Sequence, residues 1–153
     1  MTDNRNRELD TVDLLKILNE GRGLDPEGFA ETYLNGKVPS FPAYMDALIG
    51  ERGLLKKDVI RKADLPEKYG YKLLSGENHT TERDYILRFC LALGLDLTRT
   101  NRALELYGMR ALYPKDRRDM VLIIAVNRGF SGVDEANELL TGHGEAPLAR
   151  SRE

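Results

Sequence analysis

Apolar residues recur at helical spacing along most of the chain, and the alternation that marks a half-buried strand is confined to fragments. In "TVDLLKILNE", 11 to 20, Val12, Leu15 and Leu18 share one face, Leu14 and Ile17 lie beside it, and "GRG" ends the run. "DPEGFAETYLNG", 25 to 36, opens on an Asp cap with a proline in its first turn and closes on "NG". "KVPSFP" reads as a linker with two prolines. A closely spaced series of helices is predicted over 43–52, 56–63, 66–75, 81–93, 97–108, 115–129 and 132–142, with Gly53, Gly76 and Gly94 as stops. "HGEAPLARSRE" has no pattern of its own and reads as a frayed end, and no internal repeat is visible. The expected fold class is therefore all-α.

Composition narrows this reading. Hydrophobic residues make up 41% and charged residues 31%, the balance of a globular domain with a charged surface. The longest apolar run, "MVLIIAV" at 120 to 126, is far short of the roughly 20 residues that span a bilayer and is expected to be a buried helix segment. The first ten residues lack the apolar stretch of a signal peptide and are rich in acids, so a cytoplasmic location is expected, with no membrane partner. Cys90, the only cysteine, sits in the apolar run "YILRFCLALG" and is expected to be buried and inert.

The formal net charge of -2 argues against indiscriminate nucleic-acid binding, but its distribution is uneven. Residues 52–72 hold seven basic and three acidic side chains, whereas residues 1–51 hold five and ten. Such a local excess is the footprint expected of a phosphate-facing surface. It coincides with two short helices joined by the tight turn "ADLP". The first turns Val59 and Ile60 toward the core and carries the small Ala63 for a close crossing, Leu65 supplies an apolar turn residue, and Pro66 begins the second.

At this point a resemblance becomes specific. "GLLKKDVIRKADLPEKYGYKLLSGENHTTERDYILRFCLALGLDL" resembles the Cro/repressor-type (XRE) helix-turn-helix family without a gap over about 45 residues. The continuation from "LYGMRALYPKDRRD" through "NELL" is similar to a carboxy-terminal helical extension found in a bacterial subset of these helix-turn-helix proteins. The resemblance implies a five-helix lambda-repressor-like DNA-binding domain with additional N- and C-terminal helices. The expected organisation is an N-terminal helical arm and linker over 1–40, the helix-turn-helix domain over 41–97, an extension packed on it over 98–148, and a frayed tail over 149–153. It further implies a transcriptional regulator whose helix 66–75 reads the major groove of double-stranded DNA. Carried over position by position, Pro66, Glu67, Lys68, Tyr69, Tyr71 and Lys72 fall on or beside the groove-facing turns, and Lys56 and Lys57 where the backbone phosphates pass.

Three departures stand against the family pattern: Gly70 where a buried aliphatic residue is usual, Lys56 for a glutamine, and "NHTT" for a basic-Pro-Ser start to the next helix. A mid-helix glycine costs about 1 kcal/mol relative to alanine. The expectation is that Tyr69 or Tyr71 folds over the gap, or that the helix is irregular. The alternative to DNA binding is a protein-interaction adaptor that keeps the fold without the groove contacts, and both a homodimer and a protein partner remain open.

Other chemistry is sparse. His79 and His143 have no metal-ligand spacing, and His79 is expected to be an exposed loop residue. "KDRRD", 115 to 119, is expected to pair its charges within the cluster. No phosphate-cradling glycine loop and no activated nucleophile is present, so neither enzymatic activity nor a cofactor is expected.

Overall fold

A computed structural model describes residues 38–129 and 132–150, together with Leu15 alone from the stretch before them. The helices expected over 11–20 and 25–36 lie outside the described residues. Residues Ser40–Glu153 form one compact unit, distinct from Met1–Pro39. Among the described residues there are seven helices and no strand: α1 Phe41–Glu51, α2 Lys56–Ala63, α3 Glu67–Ser75, α4 Arg83–Leu93, α5 Leu97–Leu106, α6 Arg117–Asn127 and α7 Val133–Gly142. None is long and apolar enough to cross a membrane.

Capping chemistry accounts for the boundaries. Ser40 Oγ accepts from the Ala43 N–H at 3.2 Å, so α1 starts two residues before the expected position and takes Pro42 into its first turn, where a missing N–H costs nothing. Asp96 caps α5 and Asp116 caps α6, each accepting at 2.9 Å, which moves the start of α6 from 115 to 117. Glu82 caps α4 through the Asp84 N–H, and Gly94 ends that helix at φ +68.

The core runs through the helices as one apolar cluster in which Met45, Val59, Leu73, Ile86, Phe89, Leu104 and Leu122 have no appreciable exposure. α2 packs on α4 and on α3, and α6 packs on α7. Cys90 lies in this cluster, and burial pushes its thiol up to about 12, against a smaller opposing effect of the Thr100 hydroxyl. The run "MVLIIAV" is buried along one side only. Val121, Leu122, Ala125 and Val126 are inside, whereas Met120 and Ile123 are half-buried and Ile124 is exposed. Seven consecutive apolar residues cover the whole circumference of a helix, and α6 has neighbours on part of it.

The carboxy-terminal residues are not frayed over the described range. Leu148 is buried, and the backbone of 146–150 is bonded to side chains of α4, α6 and α7.

Candidate nucleic-acid interface

The two helices of the basic segment meet through a turn set by one residue. Asp64 adopts φ 59, ψ 48, and is the only non-glycine with positive φ among the described residues. Aspartate tolerates this left-handed conformation better than most side chains. It closes α2 by donating its N–H to Arg61 O at 3.0 Å, while the Leu65 N–H reaches Ile60 O at 3.3 Å. Leu65 is buried, and Pro66 stands immediately before α3 in an extended conformation.

What brings α3 onto α2 is Gly70. A methyl group added there would lie 2.5 Å from Ile60 Cγ2 and 2.9 Å from Ile60 Cγ1. Ile60 is itself buried and branched at Cβ, so it cannot swing aside. The expectation that a tyrosine covers this glycine is thus corrected: Ile60 fills the space from the opposite helix, α3 is a regular helix across it, and the glycine is what the close crossing requires.

Seating Gly70, Leu73 and Leu74 inward turns Glu67, Lys68, Tyr71 and Ser75 outward along one stripe, with Lys72 half-exposed beside it. Of the expected contact residues, Lys57, Glu67 and Lys68 are exposed and Pro66 is half-buried. Tyr69 does not join the stripe. Its half-buried ring packs edge-on against Tyr85 of α4, with centroids 5.9 Å apart. Lys56 sits at the first position of α2, where its ammonium contacts Asp46 at 3.1 Å. Neither α2 nor α3 has a side-chain cap at its N-terminus, whereas α1, α4, α5 and α6 do.

The loop after α3 carries His79, which is exposed as expected. The Asn78 N–H returns to Lys72 O at 3.0 Å, and the exposed His79 ring stacks on Tyr107 at 4.7 Å and 6°. Tyr107 is fixed from behind by the edge of Phe41 and accepts the Thr80 N–H at 2.9 Å. Burial raises the Tyr107 phenol above its ordinary pKa, and the Thr80 bond partly opposes this.

The cations of this segment divide into paired and unpaired: Lys56 meets Asp46 and Arg61 meets Asp58. Lys57, Lys62, Lys68 and Lys72 make no ion pair with any described residue. The arginines at the junction of α4 and α6 are fully engaged, though not as expected. Arg117 and Arg118 pair outside the "KDRRD" cluster, with Glu145 and Asp84 respectively, and Asp119 receives Arg83 and Arg110. Arg83–Asp84 and Arg118–Asp119 thus exchange partners crosswise between the first turns of two helices. Asp119 also accepts the Tyr113 N–H at 3.0 Å. Burial pushes the Asp119 carboxyl up, but the bonds from Arg83, Tyr113 and Arg110 outweigh it and hold the group below the ordinary carboxylate value.

Comparison of the chain with family models, curated proteins and solved structures yields no match.

Proposed function

We propose that this chain is a Cro/repressor-type helix-turn-helix protein that binds double-stranded DNA and regulates transcription, with α1 to α5 as a five-helix lambda-repressor-like unit. The observation that carries this reading is the set of four lysines on α2 and α3 that pair with no described residue, on a chain whose net charge is negative and whose other junction engages its arginines. Unpaired cations concentrated on one short segment are what a phosphate backbone needs, since each phosphate neutralised releases condensed counterions.

In this reading Lys57 and Lys72 anchor phosphates. Glu67, Lys68 and Tyr71 face the major groove, where a carboxylate accepts from cytosine N4, an ammonium donates to guanine O6 or N7, and a ring meets the thymine methyl. Lys56 contributes less than its position suggests because Asp46 shares its charge, and Tyr69 supports α3 from behind. The adaptor reading keeps one observation of its own: Leu55, next to Lys56, is 60% exposed, and an aliphatic side chain there suits a protein partner better than a phosphate.

Selection from a random duplex pool at low and moderate salt tests the proposal. Retention that falls steeply with salt, with one motif enriched, is expected; no retention at low salt would overturn it in favour of the adaptor. With the motif known, Lys72→Ala should weaken binding to all sequences alike and reduce the log–log salt slope by about 0.9, whereas Glu67→Ala should shift the preferred base at one position.

A further inference from the structure

The segment following α7 is held in an unusual manner. Residues 146–150 run extended across α4, α6 and α7, and their main chain is bonded throughout by side chains of those helices. Arg118 donates from Nε to Ala146 O and from Nη2 to Pro147 O, both at 3.0 Å. Asn137 accepts the Leu148 N–H at 2.8 Å, and Arg88 Nη2 donates to Leu148 O at 3.1 Å. Asp84 accepts the Ala149 N–H and Arg88 Nε donates to Ala149 O, each at 2.8 Å, and the Tyr85 hydroxyl reaches Arg150 O at 3.3 Å. The Leu148 side chain is 1% exposed.

This is how proteins receive extended peptide ligands: the main chain is satisfied by fixed groups, and one side chain fills a pocket that sets specificity. Asp84, Arg118 and Arg88 each have a partner outside the segment. Asp84 and Arg118 grip each other through two bonds, at 3.1 and 2.8 Å, and Arg88 donates its remaining Nη1 to Ala63 O at 3.0 Å. The segment leaves α7 through "GHGE", 142 to 145, which carries two glycines.

We propose that the surface between α4, α6 and α7 is a peptide-binding groove whose ligand is the chain's own segment 146–150, a strap that can leave and return while the helices stay folded. The ligand class is an extended peptide with a leucine between Pro and Ala. Because Arg88 holds both the strap and the last carbonyl of α2, occupancy of the groove is felt at the turn that precedes α3. The inference stands independently of the DNA-binding proposal.

The test titrates a fluorescent peptide of residues 145–153 into the full chain carrying Leu148→Asp, which places a charge where the strap's own anchor would be buried. Saturable binding is expected, with no binding of a peptide bearing the same Leu→Asp change and at least about tenfold weaker binding to the unaltered chain, whose tethered strap competes at high effective concentration. A folded variant that does not bind, or equal binding of the two peptides, would overturn the proposal. If the variant does not fold, hydrogen exchange on the unaltered chain decides. Exchange of the Leu148 and Ala149 amides at least about tenfold faster than those of Cys90 and Leu91 supports a separable strap, and equal rates for all four overturn it.

Discussion

The two junctions of this unit are built on opposite principles. α3 meets α2 through an apolar contact made close by a missing side chain, and Lys57, Lys62, Lys68 and Lys72 on these two helices pair with no described residue. α4 meets α6 and the carboxy-terminal strap through the buried Asp84, Arg88 and Asp119, with Arg83, Arg110 and Arg118 committed to the two carboxylates. An unpaired charge is free to bind something else, whereas a paired one specifies how its own chain fits together. The contrast separates a surface from a seam, and the cations differ with it: lysines on the surface, arginines in the seam.

The seam should be the more fragile to single changes. Arg88→Met preserves volume but strands the carbonyls of Ala63, Leu148 and Ala149; a loss of roughly 3–5 kcal/mol is expected in urea unfolding. Asp119→Asn should cost about 2–4 kcal/mol at neutral pH, since it uncouples two arginines at once. It should also change the acid limb. The folded-state pKa of Asp119 lies below its unfolded value of about 3.9, so the stability it contributes is complete above that pH and is lost as pH falls through the folded pKa. The unaltered chain should therefore lose stability below about pH 4, and the Asn variant should lose correspondingly less over the same range.

At the apolar junction the expected effects are smaller and one has an inverted sign. Glycine to alanine inside a helix ordinarily stabilises by up to about 1 kcal/mol, but Gly70→Ala should destabilise by about 1–3 kcal/mol because Ile60 has nowhere to go. Combined with Ile60→Ala, the same change should cost much less than on its own, and a double-mutant cycle measures this coupling. On the open face, Lys57→Ala with Lys68→Ala should leave the unfolding free energy within about 0.5 kcal/mol while weakening DNA binding; a larger loss of stability would mean these lysines belong to a seam after all.

Much of the fold was legible because its signals are local. Gly76 and Gly94 mark helix ends by residue type and the inward faces of α2 and α4 follow from spacing alone, whereas the caps Ser40 and Asp116 went unread and left two helix starts displaced by two residues. The exposed residues Glu67, Lys68 and Tyr71 were named through the family resemblance, in a set that also held the half-buried Tyr69. What escaped depends on residues far apart in the chain. Nothing local says that Gly70 answers Ile60, or that Arg118 pairs with Asp84, 34 positions away, in preference to its own neighbours. Tyr69 looked like Tyr71 until Tyr85 claimed it. The strap was the largest omission: "EAPLAR" carries no periodicity, because its order comes from side chains that lie elsewhere.

The stack of His79 on Tyr107 has a spectroscopic consequence. Protons held above a phenol ring resonate upfield of their free positions, so the imidazole signals of His79 should be displaced in a proton spectrum of the folded chain. The sequence contains two histidines, and the other, His143, lies in the "GHGE" tether of the strap, with its carbonyl accepting from Arg117 at 3.3 Å. One pair of natural resonances thus stands beside the open face and the other beside the strap. Without any label or substitution, a ligand that moves the first alone, the second alone or both reports which part of the molecule it has reached.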